Sequence, residues 1–119
     1  MSTLKADTIQ STSGGAATLT KQAGVKMYTK TSGTYTALSS DSLNAASLVD
    51  NATGDVTINF TNSFTTNNYS TVVSADATGS RVATYTSEAT TSITYRVHSG
   101  NDASDADNNV CSMVAGDLA

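Results

Sequence analysis

The sequence predicts an all-β protein, a compact antiparallel β-sandwich or β-roll of seven to eight short strands with an extended N-terminal arm. Composition is the first reason, because 21 Thr and 17 Ser accompany a single Glu and only 13% charged residues. Threonine favours strands, and a shortage of Glu, Lys and Leu argues against long surface helices. The second reason is a series of short segments in which apolar and polar residues alternate between turn-forming residues, a pattern typical of sandwiches and rolls.

The chain is predicted to divide into an N-terminal arm, residues 1–24, and a β domain, residues 25–119. The arm has low complexity, and its large aliphatic side chains are Leu4, Ile9 and Leu19. Burying each of them returns roughly 1.5–3 kcal/mol, whereas ordering the backbone costs about 1–2 kcal/mol per residue. The arm should therefore become ordered only against sister subunits or a larger partner, with Leu4, Lys5, Ile9 and Leu19 as its assembly residues.

The strongest strand signal lies in residues 42–64. Val56, Ile58 and Phe60 alternate with polar residues, which is the period of a half-buried strand. Turn formers occupy residues 50–55, and Gly54 among them can adopt a positive φ. Leu48 lies on the other side of this turn. We predict a hairpin with a core formed by Leu48, Val56, Ile58 and Phe60.

Further strands are predicted in chain order. Residues 25–31 alternate in polarity, and Ser32-Gly33 is expected to turn the chain into residues 34–38, which makes a second hairpin. Residues 43–47 could form a single helical turn, although extended structure is favoured. Strands are then expected over residues 69–74, 81–87, 91–99 and 110–115. The last of these is apolar on both faces, which is typical of a central strand.

Residues 101–109 form an acidic loop with the most metal-like grouping in the chain. Asp102, Asp105 and Asp107 offer hard oxygen ligands that suit calcium. A calcium loop also needs a central Gly and a closing Glu in register, and neither is present. A solvated loop is favoured over a calcium site, and we predict no metal and no other cofactor.

The residue types of common catalytic and metal sites are scarce. His98 is the sole histidine and Cys111 the sole cysteine, so the chain cannot supply three or four zinc ligands or an internal disulfide. No G-x-S-x-G nucleophile elbow occurs. His98 is expected to be an outward strand residue, and Cys111 a small buried hydrophobe. We therefore predict that the protein is not an enzyme and has no catalytic residues.

Charge and hydropathy restrict the partners. A net charge of −4 and a pI near 4.5 make nucleic acid an unsuitable partner, because binding it requires Lys and Arg to neutralise phosphates. Neither an apolar run of about 18–20 residues nor a signal-peptide core is present, so we expect a soluble protein outside the membrane. The tyrosines could form a sugar-stacking platform, although core packing is favoured for most of Tyr28, Tyr35, Tyr69, Tyr85 and Tyr95.

Three stretches carry a resemblance to a known family. They are the opening MSTLKADTIQSTSGG, the central SLNAASLVDNATGDVTINFTNSF with Asn68-Tyr69 after it, and the terminal GDLA. These stretches are similar to a group of small tail-fibre-like structural proteins encoded by tailed bacteriophages, particularly marine ones. The match touches both ends and the middle of the chain, and the hairpin with its D-N-x-T-G-D turn is the most specific part.

The resemblance implies a homotrimeric virion component, synthesised in the host bacterial cytoplasm and exposed on the virion surface. One expected function is capsid decoration, in which the arm grips the major capsid protein or other virion proteins and stabilises the shell. The alternative is a short tail fibre or fibre tip that binds a host surface receptor or glycan. Trimerisation would also cover strand edges, which are otherwise an aggregation liability.

Overall fold

The structure, a computed structural model, describes residues 23–76, 80–102 and 104–117. These residues form seven strands in two antiparallel sheets, which confirms the predicted all-β fold. Within these ranges there is no helix long and apolar enough to cross a membrane. The strands are β1 (Ala23–Lys30), β2 (Ala45–Ala52), β3 (Asp55–Phe60), β4 (Ser70–Asp76), β5 (Arg81–Glu88), β6 (Ser92–Ser99) and β7 (Asn109–Asp117).

The two sheets draw their strands from distant parts of the chain. The three-stranded sheet has the order β1-β7-β4, and the four-stranded sheet has the order β2-β3-β6-β5. The last strand, β7, lies between β1 and β4, which confirms the central position predicted from its two apolar faces. The sheets pack face to face, so each strand has an inner side toward the core and an outer side.

The core lies between the sheets and follows the period of two along the strands. In β3 and β6, Ile58 pairs with Ile93 and Val56 pairs with Tyr95, and all four are fully buried. Each buried side chain of this size stabilises the fold by roughly 1.5–3 kcal/mol. Among the residues that the structure describes, the buried hydrophobic side chains are those of Met27, Tyr35, Val56, Ile58, Phe60, Phe64, Tyr69, Ile93, Tyr95, Val97, Val110 and Val114.

Buried tyrosine hydroxyls connect the sheets. The Tyr95 hydroxyl on β6 shares a hydrogen bond with the Ser112 hydroxyl on β7. The Tyr69 hydroxyl, just before β4, donates to the Ala89 carbonyl oxygen at 3.0 Å. Burial raises the pKa of the Tyr95 hydroxyl above its ordinary value and raises the pKa of Tyr69 to about 12. Both phenols are therefore uncharged near neutral pH.

The hairpin of β2 and β3 closes through Thr53 and Gly54. Gly54 has a φ of 70°, which glycine adopts without steric cost. A Cβ at this position would overlap the Val97 carbonyl oxygen and lie 2.9 Å from the Ala106 nitrogen. The Gly54 nitrogen donates to the Asp107 carboxylate at 2.7 Å. The turn is therefore held against β6 and against the acidic loop.

The predicted hairpin over residues 25–38 forms only in part: residues 34–38 are not a strand, and residues 31–43 form a compact loop that turns the chain back beside β1, whose strand partner is β7. An isolated bridge between Thr31 and Leu38 begins this loop. Tyr35 lies inside it with a φ of 51° and is 2% exposed. Its phenol oxygen accepts a hydrogen bond from the Asn108 nitrogen at 3.4 Å. Burial of this large ring outweighs the extended conformation that the local pattern favours.

Candidate functional site

A row of apolar side chains crosses the outer side of the three-stranded sheet. Met113 of β7 lies opposite Tyr28 of β1 and opposite Val72 of β4. Leu43 extends the row, because its backbone pairs with Tyr28 through hydrogen bonds of 3.2 and 2.9 Å. Directly paired residues of antiparallel strands present their side chains on the same side of a sheet. We call Leu43, Tyr28, Met113 and Val72 the apolar row.

All four members of the apolar row are exposed. Their exposed fractions are 45% for Leu43, 44% for Tyr28, 47% for Met113 and 71% for Val72. Single exposed hydrophobic residues are normal on a protein surface, but contiguous ones indicate a place where another molecule binds. The apolar row is therefore the candidate functional site.

The residues of β7 explain why this face is apolar. Val110, Ser112 and Val114 are buried on the inner side of the sheet. The alternate residues Cys111 and Met113 consequently lie on the outer side. A sequence that is apolar on both sides of a strand predicts cover on both sides. The four-stranded sheet covers the inner side, and no described residue buries Met113 on the outer side.

A shallow groove of about 320 Å³ adjoins the apolar row. Tyr28, Val72, Cys111 and Met113 contribute apolar surface to it, and Lys30 and Asp41 add one charge of each sign. The apolar surface continues toward the start of β1, where Val25 lies opposite Ala115 and is 42% exposed. The groove and the row together form one face that combines an apolar floor with charged groups.

The outer side of the four-stranded sheet has the opposite character. Thr57 and Thr94 share a hydrogen bond of 2.8 Å, and the Asn51 amide donates to the Thr57 hydroxyl at 2.9 Å. The Asn59 amide donates to the Ser47 hydroxyl at 3.0 Å. We call this surface the polar face. Its exposed hydrophobic residues, Val49 and Val82, lie on the two edge strands and are therefore separated by β3 and β6.

The acidic loop uses its carboxylates within the protein. Asp105 forms a two-point ion pair with Arg96, at 2.7 and 3.0 Å. Asp102 accepts hydrogen bonds from the Ser104 hydroxyl at 2.7 Å and from the Ser104 nitrogen at 3.1 Å, and these bonds lower the pKa of Asp102 to about 2. Asp107 accepts from the Gly54 nitrogen. No three His, Cys, Asp or Glu side chains of the described residues are grouped so as to hold a metal ion.

His98 and Cys111 lie on opposite sides of the molecule. His98 follows the buried Val97 and is half-buried on the outer side of β6, where its Nδ1 atom has no hydrogen-bond partner within the described ranges. Cys111 is half-buried beside the groove on β7, rather than buried in the core as predicted. The two side chains therefore cannot act on the same atom of a bound molecule.

The other residues singled out from the sequence do not gather into a site. Val56, Ile58 and Phe60 are buried, and Leu48 packs against them from β2. Tyr35, Tyr69 and Tyr95 are buried, whereas the exposed Tyr28 and Tyr85 belong to different sheets, so the five tyrosines do not form one platform. The assembly residues predicted for the arm, Leu4, Lys5, Ile9 and Leu19, lie outside the described residues.

Sequence reasoning missed Leu43, Met113 and Val72 as members of a site. The signal that could have found them is the apolar character of both sides of residues 110–115. That pattern predicts burial on both sides, but the described residues cover only the inner side. Comparison of the chain with protein-family models, with curated proteins and with solved structures found no match.

Proposed function

We propose that the protein is a non-enzymatic structural component of a bacteriophage virion, a homotrimeric decoration protein that lies on the capsid surface. The arm attaches it to the major capsid protein or to other virion proteins, and the added contacts stabilise the shell. The observation that supports this function best is the apolar row on the outer side of the three-stranded sheet. A face of this kind is suited to binding another protein surface.

The energetics of the apolar row favour assembly. Covering Val72 and Met113, which are 71% and 47% exposed, would contribute part of the roughly 1.5–3 kcal/mol that each such side chain returns on full burial. Tyr28 adds a ring with a polar end, a combination that is enriched at protein interfaces. In a larger particle, the surface of a neighbouring protein could cover the apolar row.

The last two residues of the arm belong to the sheet that carries the apolar row. Ala23 and Gly24, which the sequence analysis assigned to the arm, pair with Asp117 and Gly116 at the start of β1. Residues 1–22 therefore lead directly into the strand that carries Tyr28.

The alternative is a short tail fibre or fibre tip that binds a host surface receptor or glycan. The polar face favours this function. Ser47, Thr57, Asn59 and Thr94 place hydroxyl and amide groups on one side of a sheet, and groups of this kind donate to and accept from the hydroxyls of sugars.

Counting the copies of the protein in purified particles tests the proposal. We expect on the order of hundreds of copies, because decoration follows the symmetry of the shell. On the order of a dozen copies would instead assign the protein to the tail. Deletion of residues 1–22 should abolish attachment to particles and leave the circular dichroism spectrum of the β domain unchanged. A folded truncated protein that still attaches would contradict attachment by the arm.

A further inference from the structure

We infer that the apolar row is the docking site for the N-terminal segment, residues 1–22, of a neighbouring copy of this chain. The inference rests on the proposed function, because it assigns a role to the arm within the homotrimer. It also names the partner that covers Tyr28, Met113 and Val72, whose exposure the described residues leave unexplained.

The direction of β1 favours a neighbouring copy over the same copy. β1 runs from Ala23, beside Asp117, to Lys30, beside Cys111, and Tyr28 lies near its end. The residues before Ala23 therefore enter the sheet from the end remote from the apolar row. Twenty-two residues reach at most roughly 70–80 Å when fully extended. If the segment continues in the direction of β1, it leads away from its own row, and its length is enough to reach the row of an adjacent molecule.

The sizes and chemistry of the two partners match. The apolar row crosses three spacings between neighbouring chain segments, or roughly 14 Å. An extended stretch of about five residues crosses this distance, and residues 4–9 have about that length. Because Leu4 and Ile9 are five positions apart, one of the two faces the row when the segment is extended. Burial of these aliphatic side chains does not offset the loss of backbone entropy when the isolated segment becomes ordered. A preformed apolar face adds the burial that an isolated segment lacks.

The charges of the two partners are also complementary. Residues 1–22 contain two lysines and one aspartate, whereas residues 23–119 contain four Lys or Arg and nine Asp or Glu. The groove itself carries one charge of each sign, Asp41 and Lys30, so the complementarity lies in the net charges of the segment and of residues 23–119. An excess of opposite charge increases the rate of association and makes it sensitive to salt.

Cys111 provides a reporter for this contact, because it is the sole cysteine and lies in the groove beside Met113. In the donor chain, Cys111→Ser removes the native thiol, and one of Leu4→Cys, Ile9→Cys or Leu19→Cys places a thiol in the segment. The acceptor is the natural chain, distinguished by an affinity tag. The two proteins are mixed, oxidised mildly and separated without reductant, and the joined peptides are identified by mass spectrometry.

We expect a disulfide between donor and acceptor chains from at least one of the three positions, because disulfide formation requires Cα atoms within about 7 Å. A matched control acceptor carries Cys111→Ser and Thr84→Cys, which moves the thiol to an exposed position of β5 in the four-stranded sheet. This control should give at least tenfold less product. Equal yields from both acceptors, or no product from any of the three donors, would overturn the inference.

A second experiment distinguishes docking on a neighbouring copy from docking on the same copy. Chains that carry both Cys111 and a segment cysteine are oxidised at high dilution and at high concentration. We expect joined chains that increase with concentration, whereas a bond formed only within single chains would overturn the inference. Met113→Ser with Val72→Ser in an acceptor should reduce the yield of joined chains about tenfold, and the same double substitution should leave the circular dichroism spectrum unchanged.

The failure of this inference differs from the failure of the proposed function. If the segment does not join Cys111 but its deletion still releases the protein from particles, the arm binds the shell directly and only the inference falls. If the segment joins Cys111 in the purified protein but its deletion leaves attachment to particles intact, attachment by the arm is contradicted and the inference stands.

Discussion

The two outer sides of this sandwich differ in whether their side chains find bonding partners within the same sheet. On the polar face, Thr57 bonds to Thr94 and to Asn51, so hydrogen-bonding groups find partners within the same sheet. On the opposite side, Met113 lies between Tyr28 and Val72, and all three stay exposed. Polar groups can be satisfied by neighbours in a plane or by water, whereas apolar groups need a covering layer. Of these two outer sides, as far as the described residues go, the one with the apolar row would gain more from a covering layer.

The largest decrease in the free energy of unfolding should come from placing a charge on the inner rather than the outer side of a sheet. Ile58→Asp puts an unpaired carboxylate into the fully buried core, and we expect it to cost about 4 kcal/mol or more and to unfold the domain. Val72→Asp makes a similar change at a side chain that is 71% exposed, and it should cost under about 1 kcal/mol. Urea denaturation followed by circular dichroism measures both. Unfolding of both variants would show that the outer side of β4 is covered within the single chain.

The next effect concerns the turn that holds the polar face to the acidic loop. Gly54→Ala should cost about 1–2 kcal/mol because φ is positive, and about 1–3 kcal/mol more because the new Cβ overlaps the Val97 carbonyl oxygen. Gly100→Ala is the matched control, since its Cβ would lie 3.5 Å from the nearest atom, in ordinary contact. Thermal unfolding of both variants should show a lower Tm for Gly54→Ala alone. Equal Tm values would contradict the described turn.

Alkaline pH should weaken the connection between the two sides of the sandwich. Burial raises the pKa of Tyr69 from 10.0 to about 12, so the folded protein holds this proton more tightly than the unfolded chain. The resulting stability is fully present below about pH 10 and is lost as the pH rises through about 12. Denaturation curves across this window should show a smaller decline for Tyr69→Phe than for the natural chain. Parallel declines would assign the loss to other groups.

Smaller changes in stability and in self-association should distinguish the two outer sides directly. Thr94→Val removes the hydrogen bond to Thr57 and should cost about 0.5–1.5 kcal/mol. Met113→Ser removes a side chain that is about half exposed, and it should lower the stability of the single chain by about 1 kcal/mol or less. Sedimentation should show the reverse order, with weaker self-association for Met113→Ser only. A large loss of stability for Met113→Ser would mean that this side chain packs within its own chain.

The smallest effect is expected from calcium. Arg96 and the Gly54 nitrogen already bind the carboxylates of Asp105 and Asp107, so these groups are not arranged around an ion. We expect the same Tm with added calcium and with a chelator. A rise in Tm that depends on calcium concentration would restore the alternative of a calcium site in residues 101–109.

Most of the strands could be predicted from the sequence because the core imposes a period of two. Ile93, Tyr95 and Val97 alternate with polar residues, and this pattern alone identifies β6 and its inner side. Val56, Ile58 and Phe60 identify β3 in the same way. Residues 31–43 could not be predicted, since the position of Tyr35 depends on burial against distant strands rather than on its neighbours in the chain.

The candidate site could not be predicted because it depends on which strands pair. Tyr28, Val72 and Met113 come from separate parts of the sequence and meet only in the order β1-β7-β4. Strand order is not encoded in local alternation, which is the same for an edge strand and for a central one. The sequence shows that the outer side of β7 is apolar. Whether other residues cover that side can be determined only from the complete arrangement of strands.

The position of β7 also affects the timing of folding. Ala23 pairs with Asp117, and both other strands of the three-stranded sheet bond to β7, so this sheet cannot form until β7 has left the ribosome. Pairings between such distant residues make folding slow. Nascent chains that lack β7 consequently cannot present the completed outer side of this sheet.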